Sequence, residues 1–91
     1  TLYGAEAKYL VALQLYKAHE YAAAEKEILN FIEQSTPHAY WLARSFILLS
    51  DVYVAMDKKL DARQYLLSLQ QNYHADDDIE QMINERLEKL K

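Results

Sequence analysis

Apolar residues recur at helical spacing along most of the chain, and short polar breaks divide this pattern into segments. The last segment carries one apolar stripe, formed by Ile79, Met82, Ile83, Leu87 and Leu90. Intervals of three and four residues place such a stripe on one face of a helix, and charged and amide side chains fill the other face. The pattern along the whole chain predicts helices over residues 3–18, 21–34, 38–56, 60–73 and 78–90.

The breaks between these segments are short and polar. They fall at Ser35-Thr36-Pro37, at Asp57-Lys58-Lys59 and at residues 74–77. A proline suits the first turn of a following helix, where its missing N–H has no partner to lose. Glycine and proline occur only once each in 91 residues, which is too few for the tight turns of a sheet protein. The sequence therefore predicts a single all-α domain over residues 1–91.

The chain also contains an internal repeat. Ser50 and Ala62 lie 38 residues after Ala12 and Ala24, and each pair is twelve residues apart. Large residues correspond around these small ones: Val11 with Leu49, Leu15 with Tyr53, Ile28 with Leu66, and Phe31 with Leu69. Each unit is then a pair of helices with small side chains where the helices cross, and stacking the units buries the apolar sides that one unit leaves open.

The ordered set of small and large positions resembles the tetratricopeptide repeat family. The resemblance covers two units, residues 5–36 and 43–74, followed by a capping helix over 78–90. The chain departs from the family pattern because its units are 38 residues apart rather than about 34. His19 and Asp57 also stand where the family commonly has glycine, and Lys8 replaces a large residue. Similar stretches occur at the C-terminal ends of longer bacterial repeat proteins.

This resemblance implies a right-handed superhelical solenoid of two helix pairs with a cap, which binds proteins or peptides. In such proteins the first helix of each unit lines a concave groove. Carried over to this chain, the groove residues are Glu6, Tyr9, Leu13, Tyr16, Lys17, Arg44, Ile47, Asp51 and Val54. The family's clamp for a C-terminal carboxylate uses lysine and asparagine at the positions of Tyr9 and Leu13, so the resemblance argues against that ligand.

The first helix is apolar on two sides, which predicts that both are covered. One side holds Ala7, Val11 and Leu15, and nearly the opposite one holds Leu2, Tyr9, Leu13 and Tyr16. The second side is expected to meet a preceding repeat, a ligand or a second copy. The main hypothesis is the end of a longer interaction scaffold, since the chain starts without methionine. The alternative is a homodimer formed through Tyr9, Leu13 and Tyr16.

Composition and charge bear on other classes of function. The net charge of −4 and the scattered basic residues argue against nucleic-acid binding, which needs a basic stripe. The absence of cysteine excludes thiolate catalysis and cysteine-ligated metals. No apolar run reaches the roughly 18–20 residues that a membrane-spanning helix needs.

The remaining candidates for chemistry each have a plainer structural interpretation. His19-Glu20 lacks the second histidine of a zinc-protease helix, and the run Asp76-Asp77-Asp78 after His74 lacks the alternation and glycine of a calcium loop. Asp51 has no histidine nearby to complete a nucleophile–base pair, and is interpreted as a groove residue or as a partner of a tyrosine or Arg44. The sequence therefore predicts no enzyme activity, metal or cofactor.

Two aromatic residues after the proline break leave two interpretations open. Tyr40 and Trp41 either pack over the junction between the units or form an anchoring pair at the rim of a binding surface. The other tyrosines at repeat positions, Tyr21, Tyr53 and Tyr65, are predicted to pack in the core or at turns.

Overall fold

A computed structural model describes residues 2–34 and 37–91, which form five helices and no strand in that part of the chain. The helices are α1 (Leu2–Lys17), α2 (Tyr21–Glu33), α3 (Ala39–Ala55), α4 (Lys59–Asn72) and α5 (Ile79–Lys89). The predicted all-α class is confirmed, and every helix end lies within one residue of its predicted position. Ser35 and Thr36 lie outside the described residues, as do the side chains of Leu2 and Tyr3. Among the described helices, none combines the length and apolar character needed to cross a bilayer.

The central helix of the molecule is α3. It packs against each of the other four helices, while α1 pairs with α2 and α4 pairs with α5. Eight of its residues are buried, more than in any other helix. Two cores result: one formed by α1, α2 and α3 with Ala62 of α4, and one formed by α3, α4 and α5. Because α3 contributes to both, it joins the two halves of the fold.

The turns that end α1 and α3 have the same geometry, 38 residues apart. His19 and Asp57 both have φ of 62°, in the left-handed region. The Glu20 N–H donates to the Leu15 carbonyl at 2.8 Å, and the Lys58 N–H donates to the Tyr53 carbonyl at 2.7 Å. These bonds are those of a Schellman helix end, where glycine is usual because it has no Cβ. Both hairpins therefore turn in the same way, at the spacing of the sequence repeat.

The small residues of the repeat lie at the helix crossings. All four are buried: Ala12 and Ala24 in the first unit, and Ser50 and Ala62 in the second. The buried Ser50 hydroxyl donates to the Ile47 carbonyl at 2.6 Å, so its polar atom is satisfied within its own helix. Small side chains at these four positions allow the helix backbones to approach closely.

The cap helix α5 is attached at its first turn. The Ile79 N–H donates to an oxygen of Asp77 at 3.0 Å, which satisfies a backbone donor that has no helical partner. The Tyr73 hydroxyl donates to the other oxygen of Asp77 at 2.6 Å. Ile79 and Ile83 are buried, so the apolar stripe of α5 covers the second core.

The exposed apolar face of α1 differs from the predicted one. Tyr9 is only 5% exposed, while Leu10 and Val11 are 44% and 51% exposed. Leu13 and Tyr16 are half-buried and pack against the first core. The tyrosine side of α1 is covered from within the chain, because α3 lies against it, and Tyr9 cannot contribute to the exposed dimer face that the sequence predicted.

Candidate partner-binding cleft

A cleft of about 560 Å³ opens between α1 and α5, with α3 between them. Both helices pack on α3, and in the described part of the chain their backbones do not contact each other. The helix α4 also contributes to the lining. The residues around the opening are Tyr16, Ser50, Asp51, Val54, Ala55, Lys59, Leu66, Glu85, Arg86, Lys89 and Leu90. Three residues predicted for the groove, Tyr16, Asp51 and Val54, therefore lie together here.

An ion pair joins two walls of this cleft. The Nε and a terminal nitrogen of Arg86 donate to the two carboxylate oxygens of Asp51 at 2.9 and 3.0 Å. The two side chains are 27% and 24% exposed. Arg86 also donates to the Met82 carbonyl at 3.2 Å, which holds the guanidinium in place. Paired hydrogen bonds in a fixed plane of this kind are stronger than a single exposed contact, so the pair fixes α5 against α3.

The sequence did not identify Arg86, and it assigned Asp51 a different partner. Asp51 was predicted to line the groove or to bond a tyrosine or Arg44, but its partner is a residue 35 positions later on the cap helix. The available signal was weak: Arg86 is the one arginine of the last helix and lies beside its apolar stripe. The repeat alignment did not extend into α5, so it offered no counterpart for this residue.

Next to the ion pair, the cleft has an aromatic and aliphatic surface. Tyr16 is half-buried, with its ring 5.9 Å from that of Tyr21. Burial first, and then the Asp51 carboxylate, raise the pKa of Tyr16, so its phenol is neutral near pH 7. Val54 remains 37% exposed. The cleft therefore places the apolar surface of Tyr16 and Val54 beside the hydrogen-bonding groups of Asp51 and Arg86.

The other predicted groove residues do not line the cleft. Ile47 is 1% exposed and packs with Leu66, Ile79 and Ile83 in the second core. Its burial corrects the prediction, and the reason is that α5 packs on the side of α3 that the repeat pattern assigned to a groove. Leu13 packs against the first core, while Glu6 and Lys17 are outside the residues that line the cleft.

Arg44 and Tyr9, also predicted for the groove, belong to a separate aromatic cluster. The terminal nitrogens of Arg44 donate to the hydroxyls of Tyr40 and Tyr9 at 2.9 and 3.1 Å. Its guanidinium carbon lies 5.0 Å from the Tyr9 ring centre, a cation–π contact. The Trp41 ring lies 5.4 Å from the Tyr9 ring, and the Tyr40 hydroxyl donates to Asp78 at 2.8 Å. This geometry fits the packing interpretation of the two aromatic residues. Trp41 packs on Tyr9 of α1, and Tyr40 bonds Asp78, which immediately precedes α5.

In the described residues there is no group of three or more histidine, aspartate or glutamate side chains that could hold a metal ion. His19 stacks on Tyr21 with ring centres 5.6 Å apart, and His74 lies 3.0 Å from the Gln71 carbonyl. Each of these imidazoles therefore has a contact within its own turn.

Comparison with known proteins identifies no relative of this chain. No protein-family model, no curated protein and no solved structure matches the chain. The resemblance to the repeat family therefore depends on the residues of this chain alone.

Proposed function

We propose that this chain is a protein–protein interaction scaffold of the tetratricopeptide repeat kind, the C-terminal end of a right-handed array, which binds a short segment of a partner in the cleft between α1 and α5. The observation that carries the proposal is the cleft itself, where Tyr16, Val54 and the Asp51–Arg86 pair face one opening. No catalytic role is proposed, because Asp51 and Arg86 already satisfy each other.

The chemistry of the cleft favours an amphipathic partner segment. Tyr16 and Val54 offer an apolar surface, and a neutral tyrosine commonly contributes a large share of binding energy at protein interfaces. Glu85 and Lys89 add opposite charges on the α5 side. An apolar side chain flanked by polar or charged groups fits this arrangement, as in helices or extended peptides that lie in grooves. A cleft of this size holds only a short segment. We therefore expect weak binding, with a dissociation constant that is micromolar or larger.

The test is selection of peptides on the whole chain, followed by measurement of their affinity. We expect Tyr16→Ala and Val54→Glu each to weaken binding about tenfold, since loss of an interface anchor costs more than about 1 kcal/mol. Leu60→Glu is the matched control: Leu60 is also an exposed apolar residue, at 81%, but lies outside the cleft.

Isothermal titration calorimetry gives the affinities, and circular dichroism shows that each variant is folded. Peptides that bind Tyr16→Ala and Val54→Glu as tightly as the unchanged chain would remove the cleft from consideration as the binding site.

A further inference from the structure

A small apolar patch lies on α1, on the side away from the cleft residue Tyr16 and from α3. Leu10 and Val11 are 44% and 51% exposed, and the neighbouring Ala7 is exposed as well. The other large apolar residues of α1 whose side chains are described are buried or half-buried: Tyr9, Leu13, Leu15 and Tyr16. The patch is separate from the cleft described above.

The internal repeat shows what covers the corresponding patch elsewhere in the same chain. The residues 38 positions after Ala7, Leu10 and Val11 are Ser45, Leu48 and Leu49, which are 1%, 3% and 0% exposed.

Leu48 and Leu49 are buried in the first core, together with Ala12, Ala24 and Ile28 of the α1–α2 hairpin. The patch on α3 is thus covered by the preceding helical hairpin. The patch on α1 is narrower, because Gln14 stands where α3 has Val52.

We infer that the Ala7–Leu10–Val11 patch is a docking surface for a further helical hairpin of the same design, which stacks on α1 as the α1–α2 hairpin stacks on α3. Its second helix would present the counterparts of Ala24 and Ile28, the small and large residues that contact α3. This inference rests on the proposed function, since it assigns the surface through which the repeat array continues.

In a second copy of the chain, the surfaces of α2 and α4 that match this requirement are already covered. The matching surface of α2 is already used: Ala24 and Ile28 are 0% and 1% exposed. The corresponding surface of α4 is covered by α5, with Leu66 and Leu69 only 1% and 8% exposed. A further hairpin with its second helix uncovered is therefore the occupant that the packing of this chain favours.

The experiment extends the whole chain by one unit and measures the accessibility of position 11. Residues 1–38 are added before residue 1, so that the 38-residue spacing continues without a change. The chain has no cysteine, so Val11→Cys in the original segment gives a single thiol whose labelling rate reports its exposure. We expect labelling to be slower in the extended chain by a factor on the order of ten or more, because labelling then needs the stacked hairpins to open.

Two controls make the result specific. Leu60→Cys, 81% exposed and on another surface, should be labelled at the same rate in both chains. Replacing Ile28 by aspartate in the added copy alone should restore fast labelling of Cys at position 11, because the added hairpin then lacks its contact surface.

Equal labelling of position 11 in the two chains would overturn the inference. So would labelling in the unextended chain that slows as its concentration rises, because the patch would then bind a second copy. The labelling rates do not depend on any peptide. Loss of peptide binding by the cleft and loss of hairpin docking on α1 are therefore separate outcomes.

Discussion

Truncation to alanine at the two equivalent positions Leu49 and Val11 should have very different effects on stability. Leu49 is 0% exposed and Val11 is 51% exposed, although the repeat places them at the same position. Leu49→Ala removes three carbon atoms from the first core, worth about 2.4 kcal/mol at 0.8 kcal/mol for each buried carbon. The cavity that remains brings the expected loss to about 3–5 kcal/mol.

Val11→Ala should leave the unfolding free energy almost unchanged. Two carbons are removed from a side chain that is half-buried, which costs about 0.8 kcal/mol. Alanine then returns up to about 0.6 kcal/mol, because it favours helix more than valine does. A domain of 91 residues has a total unfolding free energy of about 5–14 kcal/mol. Leu49→Ala should therefore remove a large part of it, and Val11→Ala close to none.

Urea unfolding followed by circular dichroism at the helix band measures both changes. The slope of the transition should stay the same in both variants, so that the shift in midpoint reports stability alone. If Val11→Ala lowers the unfolding free energy as much as Leu49→Ala, then α1 is covered in solution and the exposed patch does not exist in the free chain. If Leu49→Ala costs less than about 1 kcal/mol, the core has not packed around it as described.

Three further outcomes are expected. A double-mutant cycle with Asp51→Asn and Arg86→Gln should give a coupling free energy of about 1–2 kcal/mol, above that of an exposed ion pair; a value near zero would mean that the pair does not hold α5. Asp57→Gly should raise the unfolding free energy by about 0.5–1 kcal/mol, because its left-handed backbone suits glycine; a loss in thermal unfolding would contradict that geometry. Above pH 10 the chain should lose stability, because burial and then the Asp77 carboxylate raise the pKa of Tyr73 from 10.0 to about 12 in the folded state. Folding favours the neutral phenol, so the contribution of Tyr73 to stability is complete below pH 10 and is lost as the pH rises through 12. Tyr73→Phe should therefore flatten the dependence of the unfolding free energy on pH between these two values.

The helices and their ends were predictable because they follow from local pattern. Intervals of three and four residues mark an apolar face, and the polar breaks at residues 57–59 and 74–77 mark its interruptions. The equivalence of His19 and Asp57 was also visible in the sequence, although the left-handed backbone at both positions came from the structure.

The site was less predictable, because it depends on which helix packs on which side of α3. The pattern treated Tyr9 and Ile47 as groove residues, since they occupy equivalent positions in the two units. Trp41 and Arg44 cover Tyr9, and the cap helix covers Ile47. The ion pair between Asp51 and Arg86 joins residues 35 positions apart, and no local rule connects two such residues.

The position of α3 determines how the molecule can move. Since α3 belongs to both cores, its loss would expose both at once, whereas release of α5 would uncover only the second core. Local opening is therefore expected to cost least at α5, once the Asp51–Arg86 pair is broken. Because α5 forms one side of the cleft, loss of that pair would widen the cleft while α3 stays in place.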